Sequence, residues 1–330
     1  MIRIVMVCPG SRSGGSGKAV TARRWTRLLR SLGYRVLVTE EYDAEPGHLL
    51  LALHAGRSAA SVRRFRRLHP GKPVVLALTG TDVYRDIHRS ASARRCLEQA
   101  DRLVLLQPLA LEEIPGSLWA RAVVIRQSVR MPWVEPARRP RTFDVAVLAH
   151  LRAVKDPFRA AAAAKLLPSE SRIRILHAGT AEDRDWARRA RDETRRNPRY
   201  VWRGELPRWR AKRLLAGSRL MVLSSRLEGG ANVISEASVA GVPVLASRIP
   251  GTVGLLGSGY PGYFEVGDTR GLARLLDRAE TDREFYDRLA EGVRAPAHLF
   301  LPSHERRAWK LLLEDLIEAP PRPEPRETQS

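Results

Sequence analysis

The stretch Ser224-Ser-Arg-Leu-Glu228-Gly-Gly-Ala-Asn232-Val-Ile-Ser-Glu236-Ala-Ser-Val-Ala-Gly241-Val-Pro-Val-Leu-Ala-Ser247 decides the fold. A strand ends, a glycine pair follows, a helix starts near Ala231, and Gly241-Val-Pro243 stops it before the next strand. Strand–helix–strand units of this kind join parallel strands, which predicts an α/β sheet. The unpaired N–H groups of the first helical turn and its positive dipole end suit a phosphate. Gly229 and Gly230 carry no side chain to block a close ligand, and Ala231 and Asn232 begin the turn. Glu228 and Glu236 flank this anion site, where carboxylates are costly unless they accept hydrogen bonds, and sugar hydroxyls are suitable donors. An ordinary strand–turn–helix with two solvated glutamates accounts for the same residues.

Outward from this unit, short apolar runs alternate with helical segments along the chain. Before it in sequence lie strands at 2–7, 35–39, 48–53, 73–78, 102–106 and 122–125, with helices at 18–32, 58–68 and 90–100. A second series has strands at 143–148, 172–177, 200–202, 219–223 and 243–246, with helices at 157–167, 183–196, 209–216 and 232–240. Short helices at 272–279 and 282–290 and a last one at 303–317 close the chain. The expected organisation is an N-terminal Rossmann-like domain over 1–131, a proline-rich linker over 132–141 and a second Rossmann-like domain over 142–302. A C-terminal helix over 303–318 and a disordered Pro- and Glu-rich tail over 319–330 complete it. Ligands of such sheets bind at the carboxyl ends of the strands, so a cleft facing both sheets is expected there.

The loops at those ends hold the remaining candidates. Ala149-His-Leu-Arg152-Ala-Val-Lys155-Asp-Pro157 follows the first strand of the second series. Arg152 offers a fork for phosphate oxygens and Lys155 a point charge. Gly204 and Leu206 lie on the loop after 200–202. Pro9-Gly-Ser-Arg12-Ser-Gly14-Gly15-Ser-Gly17-Lys18 is glycine-rich but is no nucleotide P-loop, because Arg12 stands where the motif opens with glycine and Ala19 follows the lysine. It lets backbone at Gly14 and Gly15 approach a ligand. Arg12, Lys18, His54 and Arg57 are the basic groups on the first domain's loops; His54 and Arg57 are equally well read as structural. Asp183-Arg-Asp185 reads as a solvated helix face, the eight histidines show no ligand spacing, and no nucleophile elbow is present, so neither a metal site nor a serine hydrolase is expected.

The 330 residues carry a formal charge of +21, which raises the alternative of a nucleic-acid-binding protein. Most of that charge is arginine scattered over many helices, as in Arg63-Arg64-Phe-Arg66-Arg67, and reads instead as solvated faces with no nucleic-acid partner. No apolar run approaches the ~18 residues that span a bilayer. The opening residues 1–8 are too short for a signal-peptide core, and Cys8 and Cys96 are too few for a disulfide scaffold. A cytoplasmic protein with no membrane partner is expected.

Glu228 and Glu236, with seven residues between them and Gly-Val-Pro following, resemble the paired-glutamate motif of family-4 glycosyltransferases, which have the GT-B fold. Residues 149–155 match that family's Gly-Arg-Leu…Lys pattern in spacing, with Lys155 on the lysine. His150 falls where arginine is usual, so Arg152 takes that contact in this reading. The glycine loop and Leu78-Thr-Gly-Thr81-Asp82 have counterparts there as well. A narrower resemblance, to the selenosugar synthases of selenoneine biosynthesis, rests on residues 78–86, Leu106-Gln-Pro-Leu-Ala-Leu-Glu-Glu113 and residues 228–236. Residues 20–25 and 53–58 are similar too. The resemblance implies a transferase joining the sugar of a UDP-sugar, typically UDP-N-acetylglucosamine, to selenophosphate without a metal or other cofactor. It implies that Glu236 holds the ribose and Glu228 the donor sugar; on charge alone, Arg152, Lys155 and the 230–232 amides are expected to take the leaving diphosphate. Asn232 is placed to reach sugar or phosphate. Thr81 and Asp82 join Arg12, Lys18, His54 and Arg57 around the acceptor. The runner-up is an ordinary family-4 transferase acting on a hydroxyl.

Overall fold

Strand β1 (Arg3–Val7) is apolar on both faces, as a strand inside a parallel sheet must be. Ile4 and Met6 join one core cluster and Val5 and Val7 another, the period-2 alternation of a pleated strand. The computed structural model describes residues 1–11, 17–80, 82–132 and 142–318. Arg12, Gly14, Gly15, Thr81, residues 133–141 of the expected linker and the tail from 319 lie outside the described residues.

The chain divides into two units, residues Met1–Gln127 with the C-terminal segment from Pro302, and residues Ser128–Leu301. In the first, β1 joins β2 (Arg35–Thr39), β3 (Leu49–Leu53), β4 (Val74–Leu78), β5 (Arg102–Leu105) and β6 (Ala122–Val124) in the order β2-β1-β3-β4-β5-β6. All pairings are parallel, with Ile4 opposite Leu49 and Leu50 opposite Val74. Helices Ala55–Leu68 and Ala91–Gln99 pack on the face that carries Val5, Leu50 and Leu76. Helix Gly17–Ser31 covers the opposite face through Ala22, Trp25 and Leu29.

The C-terminal helix, Pro302–Glu318, belongs to this first unit rather than standing apart. Trp309 is fully buried and meets Trp25 edge-on at 4.8 Å, and Leu312, Leu313 and Leu316 enter the same core. Glu305, also fully buried, accepts hydrogen bonds from the Trp25 indole N–H at 2.7 Å and from the Arg24 guanidinium at 3.1 Å.

The second unit repeats the scheme with β7 (Phe143–Leu148), β8 (Ile173–Ala178), β9 (Tyr200–Trp202), β10 (Leu220–Leu223), β11 (Val244–Ser247) and β12 (Tyr263–Phe264). Their order is β12-β11-β10-β7-β8-β9, again all parallel. The chain runs outward from β7 to β9, then restarts on the other side of β7 with β10. The gap beyond β7 and β10 is therefore the topological switch point at which α/β sheets bind ligands. The helix expected at 157–167 is confined to Arg159–Ala164. Asp156 takes a left-handed conformation at φ 44° just before Pro157, which delays its start, and 3₁₀-type bonding at residues 166 and 167 precedes Pro168. No helix among the described residues is long and apolar enough to cross a membrane.

Candidate active site

The loops leaving β7 and β10 meet at the switch point. The Arg226 N–H donates to the Val154 carbonyl at 2.8 Å, and the Ser224 hydroxyl donates to the Asp156 carbonyl at 2.9 Å. These bonds bring Lys155 and Glu228, far apart in sequence, into a direct ion pair of 2.5 Å between Nζ and Oε1. Their side chains are only 16% and 12% exposed, so water screens the pair weakly. The Ser225 hydroxyl donates to the same carboxylate oxygen at 2.6 Å. Glu228 is also held from its backbone side, where Gly251 lies so close that a Cβ would strike the Glu228 carbonyl.

The β7 loop is braced from within the sheet. His177 is fully buried between Ala149 and Tyr200, and burial pushes its pKa down to about 4, so it is neutral. Its Nε2–H donates to the Ala149 carbonyl at 2.8 Å, which leaves Nδ1 to accept from the Tyr200 hydroxyl at 2.8 Å. A Cβ on Gly179 would collide with that same Ala149 carbonyl, so the glycine is required by close approach. Arg152 sits exposed and extended three residues beyond Ala149. Asp156 holds Arg159 at 2.8 Å and closes the loop.

Helix Asn232–Ala240 starts immediately after the glycine pair. Ala231, its N-cap residue, supplies no capping side chain, so the first-turn amides are not closed off by one. Gly229 and Ala231 are buried, Gly230 and Asn232 half-buried. Glu236, one turn on, is 8% exposed and lies 3.7 Å from the Arg208 guanidinium. Gly204 takes φ 66°, a conformation suited to glycine, and its carbonyl accepts from the Gly179 N–H at 2.9 Å; half-buried Leu206 follows. The second unit therefore gathers a cation–carboxylate pair, a helix start without a capping side chain and a second buried carboxylate along one sheet edge. That arrangement can hold a diphosphate at the amides and polar hydroxyls at the carboxylates.

The first unit's candidates behave differently from expectation in two cases. His54 is buried at the N-cap of Ala55–Leu68, with a left-handed φ of 77°, and Asp86 lies 3.6 Å from its Nε2. Burial, more than its charged neighbours, pulls its pKa below the usual 6.5, so at neutral pH it is mostly an uncharged imidazole and not a basic group. Asp82 is fully buried and accepts from the Ala55 N–H at 3.0 Å and the Gly80 N–H at 2.7 Å. It braces two loops and presents no surface to an acceptor. Lys18 lies half-buried in the first turn of Gly17–Ser31, and Arg57 is exposed in the first turn of Ala55–Leu68. Among the described residues no three metal-ligating side chains gather.

Sequence reasoning did not identify Ser225, His177, Tyr200 and Arg208 as parts of this site. Ser225 stands inside the deciding stretch, but nothing in residue spacing marks His177 or Tyr200, whose role is to brace a loop from the adjoining strands.

Residues 135–295, within the span of the second unit, match the model of the family described as glycosyl transferases group 1. The N-acetyl-alpha-D-glucosaminyl L-malate synthase of Bacillus anthracis is 40% identical over 85 residues, a match covering 24% of this chain and 22% of that enzyme. The chain thus spans about a fifth of the length of the curated relative it matches. Among solved structures, Anabaena HepE in complex with UDP and glucose superposes with a TM-score of 0.72 at 16% identity, covering 96% of this chain and 100% of that one. The sucrose-phosphate synthase of Thermosynechococcus elongatus gives a TM-score of 0.76 at 14% identity, covering 96% and 99%. The fold is GT-B, two parallel α/β sheets in two units.

Proposed function

We propose that the protein transfers the sugar of a UDP-sugar, UDP-N-acetylglucosamine first among candidates, to selenophosphate, forming the C–Se bond of a selenosugar in selenoneine biosynthesis. The observation that carries the transferase reading is the Lys155–Glu228 ion pair at the switch point, next to the uncapped amino end of Asn232–Ala240. The glucosaminyl transfer in the Bacillus relative's name and the UDP bound to HepE support the donor class. The strings at 78–86, 106–113 and 228–236 support selenium as the nucleophile.

In this mechanism a selenium lone pair forms the bond to the anomeric carbon as the bond to the UDP oxygen breaks, and the electron pair leaves with the diphosphate; water then cleaves the P–Se bond of the Se-phosphoryl sugar, releasing phosphate and the selenosugar. The cost lies in that growing negative charge. Arg152, Lys155 and the amides at 230–232 stabilise it without a metal, each contact worth about 3 kcal/mol, or roughly a hundredfold in rate. Glu236 holds the ribose hydroxyls, Glu228 and Asn232 the sugar, and the backbone around Gly204 and Leu206 the uridine. Selenophosphate is already an anionic nucleophile, so no general base is required. A neutral His54 is compatible with that chemistry.

Transfer to a hydroxyl acceptor draws on the same family match and is the competing reading. Incubation with UDP-N-acetylglucosamine and selenophosphate separates the two. The proposal expects UDP release that depends on selenophosphate, together with a selenium-bearing sugar by mass spectrometry. UDP release that depends only on a hydroxyl acceptor contradicts it.

A further inference from the structure

Buried polar atoms in folded proteins almost always find hydrogen-bond partners, so exceptions ask for a cause. Three such atoms of the first unit, Thr79 Oγ1, Arg126 Nε and Gln127 Oε1, have none in the structure. All three belong to residues that follow the carboxyl ends of strands. Thr79 comes directly after β4, and Arg126 and Gln127 come just after β6. Strands β4 and β6 are separated only by β5, so their ends lie about 10 Å apart, a gap an arginine side chain and a small ion can fill.

The chain after β6 turns back toward the sheet. The Gln127 amide donates to the Thr21 hydroxyl at 2.7 Å, which in turn donates to the Gly17 carbonyl at 3.0 Å. Residues 126 and 127 are thereby drawn from the β6 edge toward the first turn of Gly17–Ser31, the helix that follows β1. Arg126 is half-buried, and its Nε finds no hydrogen-bond acceptor among the described residues. Burial alone pulls its pKa down, with no acidic neighbour opposing the shift. The buried Nε–H has no acceptor, a cost that an anion oxygen would offset. Its planar fork matches the oxygens of a tetrahedral oxyanion, and the Thr79 hydroxyl adds a donor.

We propose that Arg126, assisted by Thr79, is an anion-binding group for a compact tetrahedral oxyanion of the phosphate class. Calling that anion the acceptor rests on the transfer reading above; the binding itself does not. The site prefers an anionic nucleophile to a neutral hydroxyl, because a neutral acceptor leaves the guanidinium uncompensated.

The test is calorimetric titration of thiophosphate into the full chain with no donor present. Wild-type protein is expected to bind, Arg126→Gln to weaken binding at least ~10-fold, and Arg126→Lys to fall between, since the charge survives and the fork does not. Thr79→Val, a nearly isosteric change, is expected to weaken binding several-fold, and Arg63→Gln on an exposed helix face to leave it unchanged. Thermal midpoints equal to wild type show that each variant is folded, and Thr79→Val carries the test if Arg126→Gln does not fold. Thiophosphate that binds wild type and Arg126→Gln equally, or binds neither, overturns the proposal. In turnover, Arg126→Gln raises the selenophosphate KM and leaves the UDP-sugar KM in place. Arg126-dependent thiophosphate binding without any selenosugar product sustains the anion site and sinks the transfer reading instead.

Discussion

Lys155→Ala is expected to lower kcat by about two to three orders of magnitude, the loss typical when one preorganised charge-stabilising donor is removed. Lys155 contacts Glu228 at 2.5 Å with both side chains largely out of water, so the substitution acts twice. It removes a cation from the position assigned to the leaving diphosphate, and it leaves a poorly solvated carboxylate beside that position. The second effect raises the barrier further, because a lone negative charge repels the phosphate as it departs. Lys155→Arg is expected to restore little, since a longer, planar guanidinium replaces a compact charge at the Glu228 oxygen that Ser225 also contacts. Steady-state kinetics with both substrates varied check this: the loss appears mainly in kcat, with UDP-sugar KM changed less. Activity within about threefold of wild type removes Lys155 from the chemistry.

Glu305→Ala is expected to destabilise the first unit by about 3–5 kcal/mol, the cost of breaking a buried charged contact. Its carboxylate is fully buried and accepts from Arg24 and from the Trp25 indole, whose ring packs on Trp309. Truncation leaves an indole N–H and a guanidinium with their acceptor gone, beneath a helix whose Trp309, Leu312 and Leu313 complete one face of the core. Denaturant unfolding followed by tryptophan fluorescence reads the change directly, because Trp25 and Trp309 lie at the lesion. Glu305→Gln, which keeps an acceptor oxygen but not the charge, is expected to lose less. A shift under about 1 kcal/mol for Glu305→Ala places the helix docking elsewhere.

Much of this architecture was legible in the residues. Alternation in Ile4-Val5-Met6-Val7 assigns side chains to both faces, and the glycine pair with Gly241-Val-Pro243 brackets a helix that runs over Asn232–Ala240. Contacts between residues remote in sequence were not legible. Nothing near Glu305 in the chain reports that it caps Trp25, and nothing near Lys155 reports that Glu228 will neutralise it. Burial was the other missing quantity. His54 looks basic on a loop, but burial makes it neutral despite the opposing charges of Asp82 and Asp86, and Asp82 looks like a ligand but braces Ala55 and Gly80. Arg126 is one of many arginines in the sequence, and its distinguishing half-burial without an acceptor at Nε arises only from tertiary packing.

The account rests on a diphosphate held at the amino end of Asn232–Ala240 beside Lys155. A crystal structure of the protein with UDP tests it most directly. The expected result is a β-phosphate about 3 Å from backbone N–H groups at residues 230–232 and from Lys155 Nζ, with the ribose against Glu236. UDP bound away from that helix end, or no detectable UDP binding by calorimetry, contradicts the account.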